Sequence, residues 1–160
     1  MTKNIKNLDN DTGIPFVKPL AEWIKKAAPQ IGILIGLKKF STGQSNPTYR
    51  IQTIDNGKEE RFVLRTQPVG LLLKSAHAVD REYQVMSALR PSDIPVPEMI
   101  IYCDDLTVIG VKFFIMREVN GETFYKPTLD NYNATDRSAL FSAKIDLLAA
   151  LAKLNPIALG

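Results

Sequence analysis

The pattern of hydrophobic and polar residues changes from helical to extended at about residue 30. Before that point Leu20, Trp23 and Ile24 recur at helical spacing, and Pro29 then interrupts the run. This spacing predicts an amphipathic helix that begins near Pro19 and ends before Pro29. Beyond it, alternating residues predict three strands, at 33–40, 49–54 and 61–66.

The turn between the second and third predicted strands carries a strong hairpin signal. Asn56 and Gly57 separate the two strands, and both residue types accept the positive φ that a two-residue turn requires. The three strands are therefore predicted to form an antiparallel meander.

The second half of the chain is predicted to add two helices and two strands. In order, they are expected at 76–90 (helix), 98–102 and 111–119 (strands) and 135–153 (helix). Ser75 is the expected N-cap of the first of these helices. The last helix has an apolar face made by Ala139, Ala143, Leu147 and Leu151. The order favours an α+β fold, with five antiparallel strands and one helix inserted after the third.

Composition excludes several classes of protein. The 160 residues are 45% hydrophobic, and 20 basic against 17 acidic residues give a net charge of +3. These values suit one globular domain or one lobe of a larger domain, and exclude a disordered, collagen-like or long coiled-coil chain. The excess charge is small and no stripe of basic residues interleaves with aromatic ones, so a nucleic-acid-binding domain is disfavoured.

Single cysteine and histidine residues limit the possible chemistry. Cys103 is the only cysteine, so no intramolecular disulfide forms, and His77 is the only histidine. Any site that needs two histidines is thereby excluded, as is a Ser-His-Asp triad that does not use His77.

The N-terminal residues lack the features of a secretory signal. Residues 1–15 are rich in Asn, Asp and Lys and are expected to form a flexible arm. The longest apolar runs, such as Ile31–Leu37, are too short to span a bilayer. We therefore expect no membrane partner and a cytoplasmic protein.

Glu82 is the most informative residue of the second helix. On a helical wheel it lies inside the apolar stripe, which consists of Val79, Tyr83, Met86 and Leu89. A desolvated carboxylate needs a cation nearby. Arg65, on the same face of the third strand as Val63, is the expected partner. The alternative is that Glu82 lies at the edge of the stripe and reaches water.

Two further segments carry weaker signals. The turn Ser41–Asn46 is longer and more polar than a hairpin needs. It is either an ordinary loop or a set of backbone N–H groups that meet an anion. Residues 113–121 run from an apolar strand into a charged and then flexible stretch. That stretch is either a strand followed by a turn or a connector whose backbone bonds a planar ligand.

Several segments together resemble one known family. They are FSTGQSNPTY (40–49), FVLRTQPVG (62–70), SAHAVDREYQVMSAL (75–89), IPVPEMI (94–100), VIGVKFFIMREVNGETF (108–124) and LLAALAKLNPIALG (147–160). In this order they are similar to the aminoglycoside phosphotransferase and choline kinase-like family. The nearest branch is the kinase-like module fused to acyl-CoA dehydrogenases in animals. The resemblance covers about residues 17–160.

The resemblance implies a protein-kinase-like fold with ATP between two lobes. Residues 16–118 would be the N-terminal lobe, and 119–160 the hinge and the first helix of the C-terminal lobe. Arg65 would hold the α- and β-phosphates with Glu82 as its helix partner. The remaining nucleotide-binding positions would be Gly43, Gln44, Ser45 and Asn46 in the phosphate loop and Met116, Arg117, Glu118 and Val119 at the hinge that meets adenine.

The chain departs from the family pattern in two ways. Position 65 is Arg where kinases have Lys, and the two side chains have different geometry. The His-Gly-Asp segment of the family, with its catalytic Asp and the later Mg²⁺ ligands, is absent from the 160 residues. No catalytic or metal-binding residue is therefore assigned.

These observations lead to an ATP-binding lobe of a small-molecule phosphotransferase. The full enzyme would transfer the γ-phosphoryl of ATP to a metabolite hydroxyl, with Mg²⁺ held outside this segment, and the chain alone is expected to be inactive. The acceptor is not indicated. The alternative is a non-catalytic kinase-like module that binds a nucleotide or a partner protein. An exposed face on the 135–153 helix would favour a homodimer.

Overall fold

The computed structural model describes residues 13–41, 46–70, 78–124 and 126–159. The first half of the chain contains one long helix, α1 (Val17–Ala27), and three strands, β1 (Ile33–Lys39), β2 (Thr48–Asp55) and β3 (Lys58–Thr66). The elements that follow are α2 (Val79–Leu89), β4 (Met99–Cys103), α3 (Leu106–Ile109), β5 (Phe113–Arg117), α4 (Ala134–Ala152) and α5 (Pro156–Leu159). The predicted α+β order is confirmed.

The five strands form one antiparallel sheet in the order β1-β2-β3-β5-β4. The β2–β3 hairpin closes through Asn56 and Gly57, whose φ values are 46° and 81°, as the Asn-Gly signal predicts. β5 lies between β3 and β4, with Arg65 opposite Phe114. The fold therefore places the last strand in the interior of the sheet, beside the strand that carries Arg65.

One face of the sheet holds the larger core. Helix α1 covers this face, which we call the core face, with Val17, Leu20 and Ile24. Sheet residues such as Phe62 and Leu64 lie beneath the helix, and all five of these side chains are fully buried. Because side chains alternate along a strand, the neighbours of Phe62 and Leu64 in sequence point away from α1.

The opposite face of the sheet carries helix α2, and we call it the α2 face. Val79, Tyr83 and Met86 of α2 pack on Met99 and Phe114. Residues directly opposite one another on paired strands share a face. The pairings Thr48–Arg65, Arg50–Val63 and Val63–Met116 therefore place these residues on the α2 face.

Helix α3 is a difference from the sequence analysis, which predicts no helix between β4 and β5. Asp105 caps it by accepting a hydrogen bond of 2.9 Å from the backbone N–H of Thr107. With four residues, α3 is too short to show helical periodicity in the sequence. Helix α2 begins at Val79, and the predicted cap Ser75 and also His77 lie outside the described residues.

The described chain divides into two compact units. The first comprises residues up to Ser87 together with Pro97–Glu118, and the second comprises Ala88–Val96 and the residues from Val119 onward. The expected flexible arm lies almost wholly outside the described residues.

Helix α4 is the main element of the second unit and has no buried residue. Asn133 caps it, accepting 2.8 Å from the backbone N–H of Asp136. Phe141, Ile145 and Leu148 are at least half exposed, and Ala139 and Ala143 of the predicted face are also exposed. The expected homodimer through this helix stays a prediction, which sedimentation velocity on the 160-residue chain tests.

Helices long enough and apolar enough to cross a lipid bilayer do not occur within residues 13–41, 46–70, 78–124 and 126–159.

Candidate functional site

Arg65 and Glu82 form an ion pair on the α2 face. Arg65 Nε donates to Glu82 Oε2 at 2.5 Å, and Arg65 Nη2 donates to Glu82 Oε1 at 3.2 Å. The contact joins β3 to helix α2, as the position of Glu82 in the apolar stripe predicts. A two-point contact fixes the orientation of the guanidinium as well as its distance from the carboxylate.

Both members of the pair remain partly accessible to solvent. The side chain of Arg65 is 30% exposed and that of Glu82 is 35% exposed. The two interpretations of Glu82 are therefore combined: the carboxylate is paired with the expected cation, and it also reaches the surface. Partial exposure lets a dissolved ligand approach the guanidinium, which a fully buried pair would prevent.

Arg65 keeps donors that the pair does not use. A guanidinium has five N–H groups, and Arg65 commits Nε–H and one Nη2–H to Glu82 and one Nη1–H to Thr48 Oγ1, at 3.5 Å. One N–H on each terminal nitrogen has no partner within the described residues. These donors suit a phosphate oxygen, so Arg in place of Lys does not remove the anion-binding capacity of the position.

Only part of the predicted phosphate loop lies within the described residues. Gly43, Gln44 and Ser45 lie outside the described residues, and their predicted role stays a prediction. Asn46, the last residue of the loop, is 3% exposed and donates from Nδ2 to Glu82 Oε1 at 2.9 Å. It therefore contacts the acidic partner of Arg65.

The predicted hinge residues have side chains on both faces of the sheet. Met116 lies on the α2 face beside Val63. Arg117 lies on the core face, with its guanidinium 5.0 Å from the centre of the Phe62 ring. The side chain of Arg117 is thus directed away from the face that carries Arg65. Whether the backbone of 116–119 meets a base stays a prediction.

Arg117 belongs to a group of surface charges on the core face. Its Nε donates to Glu98 at 2.8 Å and its Nη1 donates to Glu60 at 3.2 Å. The hydrogen bond that Arg117 donates to Glu98, and then the one that it donates to Glu60, raise the pKa of Arg117 above its usual value. The bonds from Lys58 and then Arg117 lower the pKa of Glu60. These ion pairs hold the end of β5.

Arg50 is a residue that the sequence analysis missed. Its guanidinium contacts Glu118 through two atoms, Nε at 2.8 Å and Nη2 at 2.6 Å. It also lies 5.2 Å from the centre of the Phe40 ring. Arg50 alternates with the apolar residues of β2, which is the only signal in the sequence, and that signal indicates a face without indicating a partner.

The described residues offer no site for a metal ion. Within them, no group of three or more His, Cys, Asp or Glu side chains comes together in a suitable way. The chemistry that the first unit offers is instead cationic: a partly exposed guanidinium with unused donors, held by a carboxylate and an amide.

Comparison with known proteins places the chain in a family. The sequence model of the phosphotransferase enzyme family, APH, matches residues 36–160. The chain is 41% identical over 126 residues to acyl-CoA dehydrogenase family member 11 of Gallus gallus, covering 79% of this chain and 16% of that protein. It is 37% identical over 115 residues to acyl-CoA dehydrogenase family member 10 of Mus musculus, covering 72% of this chain and 10% of that protein.

A solved structure shows the same fold. The crystal structure of a Ralstonia eutropha protein assigned as an aminoglycoside phosphotransferase matches with a TM-score of 0.70 and 30% identity. The match covers 89% of this chain and 40% of that one. The chain thus spans less than half of the solved structure and about a sixth of the chicken relative. The resemblance inferred from the sequence is confirmed, and the chain belongs to the phosphotransferase enzyme family.

Proposed function

We propose that the first unit is the ATP-binding lobe of a phosphotransferase that acts on a small molecule. The observation that carries the proposal is the Arg65–Glu82 pair on the α2 face of an antiparallel sheet, in a chain of the phosphotransferase family. Members of this family use ATP and Mg²⁺. The full enzyme would transfer the γ-phosphoryl of ATP to the hydroxyl of a metabolite.

The role of Arg65 in this proposal is electrostatic. Its unused N–H groups would donate to the α- and β-phosphate oxygens of ATP, while Glu82 prevents the guanidinium from turning away. Positioning and charge neutralisation supply most of the catalysis in phosphoryl transfer. The residues of the first unit fit an anion, whereas the described residues do not provide a Mg²⁺ site, so no step is assigned to the metal here.

Glycine, serine and hinge positions complete the proposal. Gly43, Gln44 and Ser45 would donate backbone N–H groups to the phosphates. Asn46 would be the last residue of this phosphate loop. The backbone of Met116–Val119 would bond the adenine ring, and Val63 with Met116 would form the apolar surface above it. The acceptor molecule is not assigned, since acceptor residues would lie outside this segment.

Titration of the 160-residue chain with Mg-ATP tests the proposal. We expect weak binding, in the millimolar range, because the chain covers only 40% of the related structure. Isotope-labelled NMR should show shifts at Arg65, Val63 and Met116. The variant Arg65→Met should weaken binding by about tenfold or more, as loss of charge-assisted hydrogen bonds predicts.

Arg61→Met is the matched control, because Arg61 is an exposed arginine of the same strand. It should change the affinity by less than about twofold. If Mg-ATP shifts no residue of the α2 face, or if the two variants weaken binding equally, the proposal fails. Absence of Mg-ATP binding would instead favour the alternative in its second form, a non-catalytic kinase-like module that binds a partner protein.

A further inference from the structure

Four residues form a closed ring of hydrogen bonds around the Arg65–Glu82 pair. Asn46 Nδ2 donates to Glu82 Oε1 at 2.9 Å. Arg65 Nη1 donates to Thr48 Oγ1 at 3.5 Å, and Thr48 Oγ1 donates to the backbone oxygen of Asn46 at 2.9 Å. Together with the two Arg65–Glu82 bonds, these contacts connect each of the four residues to the next.

Asn46 is the most buried member of this ring. Its exposed fraction is 3%, against 30% and 35% for the side chains of Arg65 and Glu82. A carboxylate only accepts hydrogen bonds, so the amide must turn its nitrogen toward Glu82. Its Oδ1 is then buried without a hydrogen-bond partner among the described residues. The hydrogen bond to Glu82 therefore sets the orientation of the Asn46 side chain, although this orientation leaves Asn46 Oδ1 unpaired among the described residues.

The backbone around Asn46 is held by the sheet. The carbonyl of Pro47 accepts both the N–H of Thr66, at 2.9 Å, and its hydroxyl, at 3.2 Å. The carbonyl of Thr48 accepts the N–H of Phe40 at 2.9 Å. The backbone that follows Asn46 is thus hydrogen-bonded to the segments on both sides of β2. The ring of Pro47 restricts this backbone further.

We propose that Asn46 is a positioning residue that acts on Arg65 through Glu82. A glutamate side chain that is a third exposed and held by one partner only is free to rotate toward water. The second, neutral donor from Asn46 restricts that rotation. The carboxylate then holds the guanidinium with its unused N–H groups directed away from the helix. This inference rests on the proposed function for its purpose, because those N–H groups are the ones that would meet phosphate.

The alternative is that Asn46 merely fills space at the start of β2. A core-filling role needs volume but no donor, so an apolar residue of similar size would replace it without effect on Arg65. A positioning role needs the N–H group itself. The two roles therefore differ in what the Asn46→Leu variant does to the guanidinium, and not in what it does to folding.

Hydrogen exchange of the Arg65 Nε–H, measured by NMR on the 160-residue chain without nucleotide, separates the two roles. In Asn46→Leu and Asn46→Asp we expect exchange to accelerate by about tenfold, since the carboxylate loses an anchor or meets a like charge. Asn56→Asp is the matched control, because Asn56 is exposed in the β2–β3 turn and should leave the rate within about twofold.

Thr48 provides a second route to the same ring. Thr48→Val removes the hydroxyl while keeping the shape, and should accelerate exchange by a few-fold, whereas Thr48→Ser keeps the hydroxyl and should restore the wild-type rate. This pair serves even if an Asn46 variant does not fold, which the fluorescence of Trp23 reports. Unchanged Arg65 exchange in folded Asn46→Leu, or in Thr48→Val if neither Asn46 variant folds, overturns the inference.

Binding of Mg-ATP, measured separately, distinguishes this inference from the proposed function. If the Asn46 variants accelerate Arg65 exchange and also weaken Mg-ATP at least about fivefold, both stand. If exchange accelerates but Mg-ATP never binds the α2 face, the positioning role stands and the proposed function fails. If Arg65→Met abolishes binding while Asn46→Leu alters neither exchange nor affinity, the function stands and the positioning role fails.

Discussion

Arg50 reaches across β3 to Glu118, the last residue of the first unit. Its Nε and Nη2 lie 2.8 and 2.6 Å from the two carboxylate oxygens. The side chain of Glu118 is only 11% exposed and that of Arg50 is 36% exposed. Since Arg117, the preceding residue, is bound on the core face by Glu98 and Glu60, two consecutive residues are anchored on opposite faces of the sheet.

The Arg50–Glu118 pair should contribute measurably to stability. Arg50→Ala leaves a nearly buried carboxylate without its cation, and we expect a loss of about 2–3 kcal/mol in the free energy of unfolding. Glu118→Ala should cost less, because Arg50 can turn toward water. The double variant should reveal a coupling energy of about 1–2 kcal/mol. Urea unfolding followed through Trp23 fluorescence measures all four chains.

The exposed pair Lys58–Glu60 is the control for this cycle. The side chain of Lys58 is 77% exposed, so Lys58→Ala should change the free energy of unfolding by no more than about 0.5 kcal/mol. A coupling energy at Arg50–Glu118 as small as that of the exposed pair would show that the anchoring described here is not energetically significant.

Local features of the sequence are sufficient to predict most elements of the first unit. The Asn56-Gly57 pair identifies the hairpin because its backbone requirement is contained in two adjacent residues. Glu82 is identified by its angle on one helix, and Arg65 by sharing a strand face with Val63. In each case the physical constraint acts within a single element or between neighbours in the chain, so the pattern alone reveals it.

The features that were missed depend on residues distant in sequence. Nothing in β2 indicates that Arg50 pairs with a residue 68 positions later. The insertion of β5 between β3 and β4 is likewise a pairing of separate segments. Asn46 is read from the sequence as part of a loop, and its contact with Glu82 depends on where helix α2 packs. Tertiary packing, which propensity does not encode, decides all three.

Two glycines with nearly the same positive φ should respond differently to alanine. Gly57 has φ +81° and open space where a Cβ would be, so Gly57→Ala should cost only the conformational penalty, about 1 kcal/mol. Gly32 has φ +83°, and a Cβ there would lie 2.5 Å from the backbone oxygen of Ile54. Gly32→Ala adds a clash with backbone and should cost about 3 kcal/mol or more.

Thermal or urea unfolding of the two glycine variants provides the comparison. Equal losses would mean that the chain at Gly32 shifts to admit the methyl group without disturbing the first pairing of β1 with β2, in which Ile33 lies opposite Ile54.

Asp105 should make stability depend on pH in the acid range. The hydroxyl and then the backbone N–H of Thr107 donate to its carboxylate and lower its pKa below the usual 3.8. A carboxylate whose pKa is lowered in the folded state stabilises the fold at pH values above its usual pKa. This stabilisation is lost as the pH falls through the folded-state pKa. Wild type should therefore be more stable than Asp105→Asn at pH 7.

The stability difference between wild type and Asp105→Asn should shrink as the pH falls below about 3.8, the usual aspartate pKa. Asparagine still caps a helix, so the variant isolates the charge from the hydrogen bond. Urea unfolding at several pH values measures the difference. A difference that is the same at pH 7 and at pH 3 would show that the charge of Asp105 makes no contribution.

Cys103 should be an unreactive thiol in the folded chain. It is buried in the core face at 5% exposure, and this burial raises the pKa of its thiol above the usual 9.0, with the nearby charges of Asp105 and Asp104 acting in the same direction.

Less thiolate and less access both slow alkylation of Cys103, so iodoacetamide should react about a hundredfold more slowly with the folded chain than with the urea-unfolded chain. The rate should still be rising with pH at about pH 10, where an ordinary thiol of pKa 9.0 approaches its plateau, because the thiolate of Cys103 forms only at higher pH. Mass spectrometry measures the labelled fraction without ambiguity, because the chain has one cysteine. Labelling of the folded protein at the rate of the unfolded chain would mean that β4 opens to solvent far more often than its packing against β5 implies.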